Sequence, residues 1–568
     1  MKSKCLLSCV VAVAAANAYA GDVIVSGDIA TSQTWTKDNV YRLQGQVAIL
    51  AGATVTIQAG TVIASDSGGS LAVLRGARID CEGTQAEPII FTSKTDYDTW
   101  TETNPRGVWR PAANEWGNLT IMGRGYIGKY GNGAPSTNTA APNAGNYANM
   151  EGLTASGTND ERVRYGGGDD NDDSGILSYV SFRYGGKVLG LGTELNGLSL
   201  GGVGQATEID HVEIMNNVDD GIEIWGGKVD LKYFSIWNIG DDSLDVDHGW
   251  RGRAQFGLIV QGYSVNAASG SGVCDSMIEA DGAAKSDAQP VTTAALYNMT
   301  LIGQPFSAKR AIKYRDGARI QINNSIIMNA GEAVVRNDNT DGEATDGQTG
   351  YGHNGTLSFN ATWTTNYNVY STVNPFTTPA SAYTAQESGK LNQITDTVFY
   401  GNAHPSAYTT ANSVGVFNSA NNNVQATSLP IAGITRGPNQ TLTTVVIAPV
   451  IGLDPRAAND ALTAVSAVPN NGFYTETSYR GAFGPDENWL CGWTAADQYG
   501  YNVAPPAGCA STVCFGDIDG NLEVDNGDVA FALLDFGPCP GCSSDLDGTG
   551  EVDFGDVALI LLSTGPCS

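Results

Sequence analysis

The sequence predicts an all-β fold, a right-handed parallel β-helix, followed at its C-terminus by a small α-helical module. Three observations carry that prediction. Short apolar runs alternate with polar residues between Gly, Asn and Asp turns. Two acidic segments superpose without gaps at an offset of 22, and the last 55 residues contain one unit written twice. With 71 glycines and only 16% charged residues, the chain is turn-rich and strand-rich rather than helical.

At the N-terminus, Lys2 and Lys4 precede an apolar run from Leu6 to Ala16, and Ala18-Tyr19-Ala20 offers a small-x-small cleavage site. Residues 1–20 therefore read as a signal peptide, which places the mature protein outside the cell, secreted or held at the surface. No later stretch is long and apolar enough to cross a bilayer as a helix, so no transmembrane anchor is expected. Without Lys2 and Lys4 the chain carries 28 basic residues against 59 acidic ones, a net charge of −31. That balance argues against nucleic acid and anionic membrane as partners and suits divalent cations.

From residue 21 to about residue 500 the pattern is that of a solenoid. Val47-Ala-Ile-Leu, Ala53-Thr-Val-Thr-Ile-Gln and Thr61-Val-Ile-Ala form three successive faces, separated by Ala51-Gly52 and Ala59-Gly60. Asn216-Asn-Val-Asp219-Asp220-Gly-Ile222-Glu223-Ile224 lies over Asn238-Ile-Gly-Asp241-Asp242-Ser-Leu244-Asp245-Val246. Leu195-Asn196-Gly-Leu198-Ser199-Leu200 is a looser earlier copy. Offsets of 22 to 24 suit one coil of three short strands and their turns. Residues 198/200, 222/224 and 244/246 should stack inside, with 199, 223 and 245 pointing out. Residues 101–175 read as long loops projecting from the solenoid, residues 335–500 as irregular terminal coils, and 501–513 as a linker.

These segments, with Glu194-Leu-Asn-Gly-Leu-Ser-Leu-Gly-Gly-Val-Gly204 and the Tyr479-Arg-Gly-Ala-Phe-Gly-Pro485 ending, resemble a family of secreted bacterial β-helix proteins of the pectin-lyase-like type. The resemblance spans about residues 45–495 and implies the fold and export, and no particular reaction.

The acidic coils hold Asp219, Asp220, Glu223, Asp230, Asp241, Asp242, Asp245 and Asp247. Stacked at the ~4.8 Å inter-strand spacing, bare Asp220 and Asp242 would repel by ~3.5 kcal/mol at an effective dielectric near 20. Three readings answer that. The acids are turn-formers capping backbone N–H groups; or Asp219, Asp220, Asp241 and Asp242 hold calcium between coils; or they hydrolyse a polysaccharide. The third rests on resemblance, since Asp220-Gly-Ile-Glu-Ile and Gly240-Asp241-Asp242-Ser-Leu-Asp-Val look like polygalacturonase motifs. That likeness implies Asp242 as the acid and Asp220 and Asp241 as bases of an inverting glycoside hydrolase on acidic polysaccharide. The family's Gly-His-Gly is missing, His248 lies on the preceding coil, and Arg310-Ala-Ile-Lys313 is one residue too long for its Arg-x-Lys. A polysaccharide lyase on the same fold is the related possibility. His248-Gly-Trp250-Arg251 could line a sugar cleft or form a packed corner.

In the tail, residues 514–568, Cys514-Phe-Gly-Asp517-Ile-Asp519-Gly-Asn521-Leu-Glu523-Val-Asp525-Asn-Gly-Asp528 returns 28 residues later. The second copy is Cys542-Ser-Ser-Asp545-Leu-Asp547-Gly-Thr549-Gly-Glu551-Val-Asp553-Phe-Gly-Asp556. Oxygen ligands at positions 1, 3, 5, 9 and 12, with a backbone carbonyl at 7, are what calcium needs. The tail has eleven acidic residues and no Lys or Arg, so without a cation its charge opposes compaction. It resembles the dockerin domain, which implies calcium as cofactor and a cohesin-like or cell-surface partner. Leu522 replaces the loop glycine, and Asn526-Gly527 and Phe554-Gly555 replace the hydroxyl pair that contacts cohesin. After removal of the signal, cysteines remain at 81, 274, 491, 509, 514, 539, 542 and 567, an even set that favours disulfides outside the cell. Repeat symmetry suggests Cys514–Cys539 and Cys542–Cys567, each loop contributing ~3.5 kcal/mol, with exchange between copies left open. Cys491 and Cys509 are placed to pin the aromatic ending.

Overall fold

The computed structural model describes residues 21–101, 103–129, 145–189, 194–262, 274–283, 289–306, 310–337, 359–368, 382–403 and 419–504, apart from 156, 158, 159, 443 and 444. Within 516–566 it describes all but 517, 519–522, 525, 540, 541, 543, 545, 547, 548, 550 and 563. The signal-peptide reading therefore lies outside the described residues.

The alternating runs form parallel strands that climb coil by coil. One face is a nine-stranded parallel sheet that includes Gln46–Ile49, Ser70–Val73, Leu119–Met122, Leu198–Gly201, Ile222–Trp225, Leu244–Asp247, Ser276–Asp281 and Arg310–Arg315. Leu198 pairs with Ile222, and Ile222 with Leu244, as the offset of 22 requires. The inward positions Leu198, Leu200, Ile222, Ile224, Leu244 and Val246 are all 0% exposed and join one continuous core. Each such burial is worth about 1.5–3 kcal/mol, which is why register is fixed: a one-residue slip would turn every apolar side chain outward.

The other two faces are made by single bent strands. Gly175–Arg183 pairs through its first half with Arg78–Glu82 and through its second half with Ile89–Ser93. Between the halves sits Tyr179, with φ of 51°. The equivalent residues of later coils, His211, Tyr233, Phe256, Asn298, Asn324 and Asp396, also have φ between 46° and 59°. This left-handed conformation turns the strand through a corner. Its cost is offset by stacking, since the rings of Tyr179, His211, Tyr233 and Phe256 lie at centroid distances of 4.2, 4.6 and 4.7 Å.

Beyond Val424–Gln425 the chain turns back along the solenoid. Ile431–Arg436 pairs antiparallel with Val450–Ala457, and Phe483, Trp489 and Trp493 pack on the outward side chains Met215, Trp237, Leu258 and Val260. Glu213, fully buried, accepts hydrogen bonds from the backbone N–H groups of Ala495 and Ala496 and from Ser181. Cys491 is disulfide-bonded. Short parallel strands at Val335–Asn337, Gln393–Thr395, Val398–Tyr400 and Val424–Gln425 continue the coils, whereas from Ile431 onward the ending is a strap along the solenoid.

Two further expectations are corrected. Residues 101–175 are not all projecting loop, because Leu119–Met122 is a regular strand of the nine-stranded sheet. Its Leu-Thr-Ile-Met alternation has the period that demands it. In the tail, Cys539 and Cys542 pair with each other, not with Cys514 and Cys567. The Cys542 N–H donates to Cys539 O at 3.2 Å, and their Cα atoms lie 5.7 Å apart, within bridging range. Cys81 is a buried free thiol, so the even set of cysteines does not pair throughout.

Candidate functional site: stacked acids on the nine-stranded sheet

Outward positions of this sheet form a charge column. Ser199, Glu223, Asp245, Glu279, Lys313 and Arg336 follow one another in register. The column changes sign between coils. Lys313 pairs with Glu279 at 2.7 Å, and Arg315 bridges Glu279 and Asp281. Arg310 pairs with Asp275 and Glu332. Arg310 and Lys313 thus serve as counter-ions to the acidic coils.

Below those cations the acids crowd together. Carboxylate oxygens of Asp219, Asp220 and Asp241 lie within 4.8 Å of one another; so do those of Asp220, Glu223 and Asp245, and those of Asp241, Asp242 and Asp275. Asp220 and Asp242 are nearly out of water, at 7% and 5% exposure. Their oxygens form a ladder along the turns. Asn196 Oδ1 accepts the N–H of Asp220 at 3.3 Å, Asp220 Oδ1 accepts that of Asp242 at 2.8 Å, and Asp242 Oδ1 accepts that of Ser276. The capping role read from the sequence is therefore present, running from one coil to the next.

The electrostatics follow from crowding. Burial, then the charges of Asp241, Glu151 and Glu194, pushes the Asp219 carboxyl up to about 8. Asp220, Glu223, Asp242 and Asp245 are raised as well, first by burial and then by their acidic neighbours. Burial also raises Glu279, but a hydrogen bond from Asp242 and the cations Arg315 and Lys313 outweigh it and hold the group below its usual range. Asp242 and Glu279 thus shift in opposite directions, Asp242 up and Glu279 down.

The residues suit a hard cation. The donor set is all carboxylate oxygen. Asp245 Oδ1 is buried with no hydrogen-bond partner, and the Asp219 carboxylate accepts no hydrogen bond from the described residues. These are the orphaned acceptors that a divalent ion would satisfy.

The aromatic and histidine candidates belong to packing. Trp250 is fully buried and donates its indole N–H to Val229 O at 2.9 Å, so the Trp250 corner is structural. His248, 5% exposed, contacts the Tyr165 hydroxyl through Nδ1 at 2.8 Å and Asp247 through Nε2 at 3.0 Å. Burial lowers its pKa to about 4, despite Asp247. Tyr165 sits between Trp225 and His248 and helps cover the lower part of the sheet. Gly201 makes that approach possible, since a Cβ there would lie 2.5 Å from Tyr165.

In the tail, Asp517, Asp519, Asn521, Asp525, Asp545 and Asp547 lie outside the described residues, as does the Glu523 side chain. The helices Asn526–Leu534 and Phe554–Leu562 begin at equivalent points of the two copies. Asp528 and Asp556 are buried and accept the N–H groups of Ile518 and Leu546, the same bond in each copy. Asp553 and Thr549 are exposed, and Glu551 lies in a short strand paired with Gly537–Pro538.

Sequence reasoning missed Asp275, Glu279 and Asp281. The next coil aligns Leu244 with Ile278, an offset of 34. The alternation Ile278-Glu-Ala-Asp281 over Leu244-Asp-Val-Asp247 was the available signal.

The family model described as a pectate-lyase-like β-helix domain matches residues 27–399. No curated protein and no solved structure matches the chain. A parallel solenoid with a continuous apolar core, matched over more than half of 568 residues, places this chain in the pectate-lyase-like β-helix family.

Proposed function

We propose that this is an exported, calcium-binding β-helix protein that associates with polysaccharide without cleaving it, and that attaches through its C-terminal duplicated module. Family membership supports a polysaccharide-related role. One observation carries the non-catalytic reading: the residues aligned with hydrolase acids are committed to their own fold. Asp220 and Asp242 each accept a backbone N–H from the coil above. A general acid has to present its proton to the leaving oxygen of a bound sugar. Asp219, Asp220, Asp241 and Asp245 would hold calcium, whose charge relieves their repulsion and braces adjacent coils.

For the tail, the duplicated acidic loops and the symmetric anchoring by Asp528 and Asp556 support a dockerin-like calcium module. Leu534 and Phe554, 82% and 76% exposed, offer it an apolar contact surface for a cohesin-like or cell-surface partner. The second reading is a polygalacturonase-like hydrolase or lyase. The upward shift of the Asp242 carboxyl, caused first by burial and in the direction a general acid needs, is the observation in its favour.

The protein is therefore expected to bind insoluble acidic polysaccharide in calcium, to release it on chelation, and to generate neither reducing ends nor unsaturated products. Turnover that is abolished by Asp242→Asn would establish the enzymatic reading instead.

A further inference from the structure

We propose that the turn between the nine-stranded sheet and the bent strands holds a pocket for a small oxyanion, a carboxylate or sulfate group. The pocket has a volume of about 140 Å³, and its walls include Lys228, Arg251, Arg253 and Asn471 together with two carboxylates, Asp230 and Glu387. Lys228 and Arg251 stand at equivalent places on successive coils, each three residues before the register partners Leu231 and Ala254. The pocket thus lies on the turn, away from the acidic column.

Lys228 is the group that asks for a ligand. Its side chain is buried, at 8% exposure, and its ammonium donates to Thr384 Oγ1 at 3.0 Å. No carboxylate among the described residues lies within ion-pair distance of it. An ammonium has three donors, so two remain for whatever enters the pocket. The neighbouring cations are already fixed. Arg251 grips Asp170 through two bonds of 2.7 Å, and Arg253 is held by Asp230. Asp170 and Asp230 offset their charge, and Glu387 accepts from Asn471 Nδ2 at 2.6 Å, which leaves Lys228 as the wall's cation without a carboxylate in ion-pair reach among the described residues. Burial and Arg251 together lower the pKa of Lys228, a penalty that an anion beside it would remove.

Size narrows the ligand. The volume is well above the roughly 10–15 Å³ that one water needs, and below the ~300 Å³ where pockets for whole small molecules begin. A single anionic group fits, either free or carried as the substituent of an acidic sugar. A buried ammonium with two open donors selects an oxyanion over a neutral hydroxyl. The inference holds whether or not the acidic coils take a cation.

The test is titration of the full chain with sodium sulfate at constant ionic strength, followed by calorimetry, and a second titration with galacturonate oligomers. Saturable sulfate binding is expected, weakened about tenfold or more by Lys228→Gln. Asn471→Asp, which puts a second carboxylate in the wall beside Glu387 and leaves the lysine intact, should weaken it similarly. Arg42→Gln, remote from the pocket, should not. Competition by the oligomers would assign the anion to a glycan, and its absence would assign it to free anions. Circular dichroism checks folding, and if Lys228→Gln does not fold, Asn471→Asp decides. Absence of saturable sulfate binding, or binding indifferent to the folded variants, would overturn the proposal.

Discussion

Stripped of divalent cations, the protein is expected to lose stability as pH rises from about 4 to about 8, the reverse of ordinary acid denaturation. The sign follows from Asp219. Its carboxyl sits near 3.8 when solvated but is raised to about 8 in the fold, by burial and then by Asp241, Glu151 and Glu194. Between those values the folded state holds a proton that the unfolded state has released. Stability therefore falls by about 1.4 kcal/mol per pH unit for each such group. Asp220, Asp242 and Asp245 push in the same direction. Glu279, whose carboxyl is depressed, acts only at more acidic pH, outside this window. Calcium favours the ionised acids, so at pH 8 it should restore about 2.7 kcal/mol at a hundredfold excess over its dissociation constant. Denaturant melts in chelator and in calcium, from pH 5 to 8, measure both effects. Asp219→Asn should flatten the chelator curve. A chelated protein that grows more stable over this range would contradict the electrostatic account.

Replacing Arg315 with Met should destabilise the fold at neutral pH by up to about 3–5 kcal/mol, because it removes one of the two cations on Glu279 and the cation on Asp281, whose carboxyl burial raises. Arg315 bridges Glu279 and Asp281, which are 4% and 8% exposed. Lys313 still reaches Glu279, but among the described residues Asp281 has no second cation. The loss should shrink as pH falls and Asp281 takes up a proton. It should also shrink in the double variant with Asp281→Asn, with a coupling of about 0.5–3 kcal/mol. A loss below about 1 kcal/mol in a urea melt would mean that water already screens the pair.

How much of this was legible depends on where each interaction originates. The inward positions of the acidic coils were legible because Ile222/Ile224 and Leu244/Val246 follow a constant offset. The crowding of Asp219, Asp220, Asp241 and Asp242 followed from the same arithmetic. Asp275 and Glu279 were hidden because their coil contains extra residues, which break the constant offset while preserving the alternation. The strap was hidden because its contacts ignore periodicity. Glu213 meets Ala495 and Ala496 across 282 and 283 residues. No local pattern encodes a carboxylate waiting for backbone N–H groups that far along the chain. The Cys539–Cys542 pair shows the opposite error. Repeat symmetry pointed to one bridge within each copy, whereas the nearer partners at the junction of the copies paired. The covered face teaches a similar lesson. Trp225 and Glu223 point outward, as alternation requires, yet both are nearly buried, at 5% and 7% exposure.

Anomalous diffraction from crystals of the full chain grown with terbium in place of calcium tests the central claim most directly. A peak is predicted among the carboxylates of Asp219, Asp220 and Asp241, with Asp245 as the further ligand in reach of Asp220. Peaks confined to the C-terminal loops, with none between the acidic coils, would contradict it.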